Sequence, residues 1–178
     1  MSKRSDFRRR ANDAYYTPIP TAKTIIPHLP EGVRYWEPCA GAGAIVKAVP
    51  GCVLASDTHP AGEGFLEYNI KIIDALTVKA DELDQSNVTH IITNPPWTRQ
   101  ILHPMIDHFA AMRPTWLLFD ADWAHTKQSA PFMRFCQKIV SIGRVSWMEN
   151  GTSGKDNCAW YLFDKSAPAQ TEFIGRAA

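Results

Sequence analysis

Five short apolar runs in this chain each close on one polar residue. Residues 33–36 end on Glu37, 52–56 on Asp57, 70–73 on Asp74, 89–93 on Asn94 and 116–119 on Asp120. Runs of this length, separated by helical stretches, are what strands buried on both faces of a parallel sheet require. Open sheets of this kind bind ligands at the carboxyl ends of their strands. The five polar residues therefore share one sheet edge, and that edge is where a site is expected.

The intervening segments read as helices at 21–29, 44–49, 76–83, 100–112 and 131–137, with helix or loop at 61–68. Thr17 or Thr21 is positioned to cap the first, and Pro27 cuts into its end. Two last strands, 139–147 and 159–163, flank the polar, glycine-rich loop 149–157. The sequence thus predicts an α/β fold: a doubly wound, mostly parallel sheet with helices on both faces and an antiparallel terminal hairpin. Residues 1–12 form a flexible basic arm, 13–165 a single domain and 166–178 a frayed tail.

At 178 residues with 45% hydrophobic and 21% charged residues, the chain suits one soluble domain with a real core. No apolar stretch reaches the roughly 20 residues that span a bilayer, and no signal-peptide core opens the chain, so a cytoplasmic protein is expected. The four cysteines lack CxxC pairing and the six histidines fall at no finger-like spacing, so no metal is expected. Net charge is +1, yet Lys3, Arg4, Arg8, Arg9 and Arg10 face only Asp6 in the first ten residues. A solvated tail explains this run; so does an arm in which Arg8, Arg9 and Arg10 grip phosphates.

Asn94-Pro95-Pro96-Trp97 carries the most specific chemistry. An aromatic exocyclic amine is a poor nucleophile because its lone pair is delocalised into the ring. Two carbonyl acceptors, the Asn94 side chain and the Pro95 backbone, can take its two hydrogens and free that lone pair. Both act as preorganised dipoles facing the positive charge that develops on nitrogen. Pro95 and Pro96 stiffen the loop, and Trp97 can stack on a base, a contact worth ~1–3 kcal/mol.

Glu37-Pro38-Cys39-Ala40-Gly41-Ala42-Gly43 is a weaker signal on its own. Gly41 and Gly43 let backbone approach a ligand, and the next helix offers free N–H groups. A dinucleotide turn would place a third glycine where Val46 stands. Glu37 disfavours a pyrophosphate and suits a cation, such as a sulfonium cofactor with a free amino group. Asp57, at the tip of the second strand, is placed to accept two ribose hydroxyls. Asp74 is placed to accept from an adenine amine, with Ala75 or Leu76 packing on the ring. The alternative for each, stronger for Asp74 than for Asp57, is a surface acid or a helix cap.

Three weaker candidates complete the set. In Tyr15-Tyr16-Thr17-Pro18, Tyr15 or Tyr16 would close over the cofactor and Thr17 would bind its methionine part. Trp123 would line a base pocket. Lys155, in the 149–157 loop, would flank a target strand.

With these motifs in this order, the chain resembles the S-adenosylmethionine-dependent adenine-N6 DNA methyltransferases, above all the short phage and prophage forms, in the family's gamma-like motif order. The resemblance runs from about Tyr15 to Asp164 and includes a last-strand segment, residues 156–164. It implies the seven-stranded methyltransferase sheet with a reversed final strand. It implies Asn94, Pro95, Pro96 and Trp97 as catalytic, and Glu37, Gly41, Gly43, Asp57 and Asp74 as cofactor-binding. Sequence-specific members carry a separate target-recognition domain, and only fourteen residues follow Asp164 here. Specificity is then read by loops and the arm, or supplied by a protein partner, and a duplex adenine must be flipped out.

Close alternatives keep the catalysis and change the acceptor: cytosine N4, adenine in RNA, or a protein glutamine amide. An inactive cofactor-binding partner subunit is the alternative of a different class. A nicotinamide dehydrogenase fits less well, given Val46 and Glu37.

Overall fold

A computed structural model describes residues 16–62, 64–147, 154, 156–168 and 170–176. Eight strands form one sheet: β1 (Tyr35–Glu37), β2 (Cys52–Asp57), β3 (Lys71–Ile72), β4 (His90–Thr93), β5 (Thr115–Asp120), β6 (Cys136–Arg144), β7 (Asn157–Phe163) and β8 (Glu172–Ile174). Their order is β3-β2-β1-β4-β5-β7-β6-β8. The first five are mutually parallel, β7 runs antiparallel to both β5 and β6, and β8 lies parallel to β6. Among the described residues six α-helices accompany them: α1 (Ile19–Lys23), α2 (Ala44–Ala48), α3 (Gly64–Glu67), α4 (Ala80–Gln85), α5 (Arg99–Met112) and α6 (Ala130–Met133).

Side chains alternate across the central strands and fill two cores. Trp36, Ile91, Leu117 and Phe119 pack with Leu102, Ile106 and Phe109 of α5. Tyr35, Ile92, Trp116 and Leu118 pack with Ala22 of α1 and with Ile45 and Ala48 of α2. Both faces are therefore buried, which is why these strands read as continuous apolar runs. The polar atoms of Tyr35 and Trp36 are tied off. The Tyr35 hydroxyl donates to Val49 O at 2.9 Å, and Trp36 Nε1 donates to Ser56 Oγ at 2.9 Å. No helix among the described residues is long and apolar enough to cross a membrane.

Four expectations need correction. The sheet has eight strands, not seven, because the tail at 166–178 is not simply frayed: Glu172–Ile174 pairs with β6 as an edge strand. Lys138 holds Glu172 at 2.8 Å and Thr171 Oγ1 donates to Cys136 O at 2.8 Å, contacts that no apolar run announces. The helix expected at 131–137 stops at Met133, and Cys136 already begins β6, since Phe135 and Cys136 are needed in the core. The helix expected at 21–29 divides into α1 and a 3₁₀ turn, Ile26–His28, where Pro27 has no N–H to continue an α-helical ladder. The stretch at 76–83 divides likewise, into a 3₁₀ turn, Ala75–Thr77, and α4.

Candidate functional site

The tips of β1, β2 and β4 bring most of the polar candidates together. Because β1 and β4 are parallel neighbours, with Trp36 opposite Ile91, Glu37 emerges beside the end of β4. Thr93, fully buried, donates its hydroxyl to Glu37 Oε1, and the Cys39 N–H reaches the same oxygen at 3.4 Å. Glu37 is itself fully buried, and its Oε2 has no hydrogen-bond partner.

Burial pushes the Glu37 carboxyl up to about 8. The bonds from Thr93 and Cys39 oppose that rise, and nearby Asp57 adds to it. The folded value lies above the unfolded one, so Glu37 stabilises the fold fully below the ordinary carboxylate pKa. That contribution is lost as pH rises through about 8. Urea unfolding should therefore show a Glu37 component that falls with pH by on the order of 1 kcal/mol per unit. Glu37→Gln is expected to remove it; an identical pH slope in wild type and variant would contradict the assignment.

The glycine turn lies against β2. Gly41 and Gly43 adopt φ of +53° and +82°, the left-handed region that glycine enters at no steric cost. Ala40 N–H donates to Ser56 O at 2.9 Å and Gly41 N–H to Asp57 Oδ2 at 2.8 Å. Asp57 Oδ1 accepts from His59 N–H at 2.7 Å. Asp57 thus braces the turn, with carboxylate oxygens that can each accept further hydrogen bonds. A Cβ on Gly41 would lie 3.4 Å from the Tyr16 ring, and one on Gly43 would collide with Tyr68 at 2.3 Å. Two tyrosines therefore cover the turn where backbone was expected to face a ligand.

Asn94 is half-buried at the end of β4. Its Nδ2 donates to Thr17 Oγ1 at 3.1 Å, and its Oδ1 accepts from Trp97 Nε1 at 3.1 Å. An indole N–H only donates, so the atom facing it must be the amide oxygen, which fixes the orientation of the amide. Trp97 meets Trp147 edge-on, ring centroids 5.5 Å apart at 84°. Pro95 is buried and Pro96 half-buried.

Other candidates fall differently. Asp74 is exposed and caps the turn Ala75–Thr77, accepting from Leu76 N–H at 3.0 Å. Ala75 is 2% exposed and belongs to the α5-side core, so it does not offer a surface to a ring; Leu76, 38% exposed, does. Trp123 is corrected too. It is 3% exposed among Phe119, Phe132, Tyr161 and Phe163, and its Nε1 donates to His103 Nε2 at 3.0 Å. It belongs to the core, not to a base pocket. Tyr15, Arg8, Arg9, Arg10 and Lys155 lie outside the described residues.

Sequence reasoning missed three residues at this edge. Thr93 and Tyr68 give no signal beyond position. Trp147, half-buried against Trp97, stands where an apolar strand meets a polar loop, and that is a usable one.

No family model matches the chain, and no curated protein matches it. Solved structures do resemble it. A modification subunit of a putative type I restriction enzyme from Vibrio vulnificus YJ016 superposes with a TM-score of 0.61 at 13% identity, covering 91% of this chain and 47% of that one. The M protein of the type I restriction enzyme EcoKI gives 0.54 at 12% identity, over 90% of this chain and 48% of that one. A predicted O-methyltransferase from Agrobacterium tumefaciens gives 0.51 at 14% identity, over 87% and 84%. The chain spans about half the length of the two restriction-system subunits. At these identities the likeness defines the fold, and it is a methyltransferase fold.

Proposed function

We propose that this chain is an S-adenosylmethionine-dependent methyltransferase acting on the N6 amine of adenine in DNA. The observation that carries the reading is the Asn94 amide, held in one orientation by Thr17 and Trp97 at the strand tip beside Glu37 and the glycine turn. The M proteins among the structural neighbours belong to DNA restriction enzymes, which favours a DNA acceptor.

The residues present fit the cofactor. Glu37 Oε2 is buried without a hydrogen-bond partner; the cofactor's cationic amino group would supply one and draw the raised carboxyl back toward its ionised form. Asp57 has acceptor capacity for ribose hydroxyls, Asp74 for the adenine amine, and Tyr16 and Tyr68 give flat walls over Gly41 and Gly43. When bound, the cofactor supplies a methyl group made electrophilic by its sulfonium.

The Asn94 oxygen and the Pro95 carbonyl accept the two amine hydrogens and concentrate the lone pair on nitrogen. They then stabilise the charge that develops there, and no strong general base is needed, because the methylated amine is acidic enough to release its proton to water. Trp97 supplies a base-facing ring, and Arg8, Arg9, Arg10 and Lys155 supply phosphate contacts. Residues 13–165 together with the edge strand β8 form the catalytic domain, of the short phage type and cytoplasmic, with a protein partner or loops reading the sequence.

One observation favours a second acceptor class. Asp120, Asp122 and Asp156 lie close enough at the β5 and β7 tips for the latter two to raise the Asp120 carboxyl, after burial as the main cause. Such a group repels phosphate, with Arg99 acting on Asp120 in the opposite sense, and tolerates an uncharged protein glutamine amide, which the same Asn94 chemistry would serve. Labelled cofactor offered with duplex DNA, single-stranded DNA, RNA and a glutamine-bearing protein separates the two. Label is expected in DNA; label confined to protein or RNA would overturn the DNA reading.

A further inference from the structure

Tyr16 and Thr17 are consecutive residues that touch two different parts of the site. The Tyr16 ring lies over Gly41 of the glycine turn, and it is 44% exposed. Thr17 is 8% exposed and its Oγ1 accepts from Asn94 Nδ2 at 3.1 Å. Pro18 follows, with φ fixed by its ring, and its carbonyl accepts the first helical bond of α1, from Ala22 N–H at 3.0 Å. Little backbone freedom separates the ring on the glycine turn from the hydroxyl on the amide.

We infer that Thr17 is a positioning residue for Asn94: by accepting from Nδ2 it keeps Oδ1 turned toward Trp97 and the amine. The inference rests on the methyl-transfer reading for its catalytic consequence, but not for its structural one. An amide that loses the acceptor on its nitrogen side is held less firmly in this orientation, and its flipped orientation presents N–H groups to a donor. Both Trp97 and a substrate amine would then face a repulsive dipole. A hydroxyl is required at residue 17; the methyl group of threonine is not.

Thr17→Ser, which keeps the hydroxyl, and Thr17→Val, which keeps the shape, separate the roles. Thr17→Val is expected to lower kcat on the order of 10–100-fold, the scale of a misplaced reacting group, with cofactor Kd changed less than about 3-fold. Thr17→Ser should restore kcat, and in an Asn94→Ala background Thr17→Val should cost nothing further. A full kcat in Thr17→Val would overturn the inference. So would equal losses in both variants, or a loss carried by cofactor affinity alone. A second readout needs no turnover. The Trp97 indole proton, assigned with Trp97→Phe, should exchange with water at least about 10-fold faster in Thr17→Val than in wild type or Thr17→Ser, because its acceptor is no longer held. Unchanged exchange would overturn the positioning role even if methyl transfer itself were never detected. Absence of methyl transfer with faster indole exchange would overturn only the functional reading.

Discussion

Asn94→Ala is expected to reduce methyl transfer by about 10²–10³-fold while leaving cofactor affinity unchanged, the loss seen when one preorganised polar group facing developing charge is removed. The side chain bonds Thr17 and Trp97, while the glycine turn is braced by Asp57, so cofactor contacts near Glu37 and Asp57 should survive. Alanine deletes the acceptor for the amine and leaves the Trp97 indole without its oxygen. Asn94→Asp sharpens the test. It retains an acceptor, and the Thr17 hydroxyl can reverse its role and donate to it. Aspartate is therefore expected to keep far more activity than alanine. Single-turnover rates at saturating cofactor, with calorimetric Kd values beside them, check both variants. A wild-type rate in Asn94→Ala would remove the amide from the chemistry.

Trp123→Ala is the second large effect, and it is an effect on stability. The ring is enclosed by Phe119 at 5.1 Å, Tyr161 at 5.6 Å, Phe132 at 5.9 Å and Phe163 at 6.1 Å between centroids. Removing it leaves a cavity and takes the donor from His103 Nε2. A loss of about 3–5 kcal/mol in unfolding free energy is expected, typical of Trp→Ala in a core. Below its melting transition the variant should retain wild-type affinity for DNA. A stable variant with weakened DNA binding would return Trp123 to the base pocket that its place after β5 suggests.

Trp123 also marks what local sequence could not convey. An aromatic residue three positions past a strand end reads as a site residue by position. Its fate depends on α6 and β7, whose aromatic rings arrive from far along the chain and close over it. Asp74 and Ala75 make the same point in reverse. The acid does cap a turn, and the small apolar residue beside it turns inward, leaving Leu76 on the surface.

The parallel core strands were legible because each is apolar on both faces and each ends on a polar residue, a pattern local enough to survive without knowledge of neighbours. β8 was not, since Glu172-Phe173-Ile174 has neither length nor alternation and is held by one ion pair and edge hydrogen bonds. Asn94 could be placed at a strand tip from the motif alone. Its tie to Thr17, seventy-seven positions earlier, could not, because it depends on how α1 packs against the sheet. Asp57 lies between these cases: the sequence put it at the ligand edge, and the fold also gives it a bracing role on the glycine turn.

The central claim is that the Asn94 amide directs a methyl group to an adenine amine. The most direct measurement is nucleoside analysis of unmethylated DNA after incubation with labelled S-adenosylmethionine, run with wild type and with Asn94→Ala. N6-methyladenine carrying the label in the first digest, and at least about 100-fold less in the second, is the expected result. Cofactor binding with no labelled nucleoside in DNA, or equal label from both proteins, would contradict the claim.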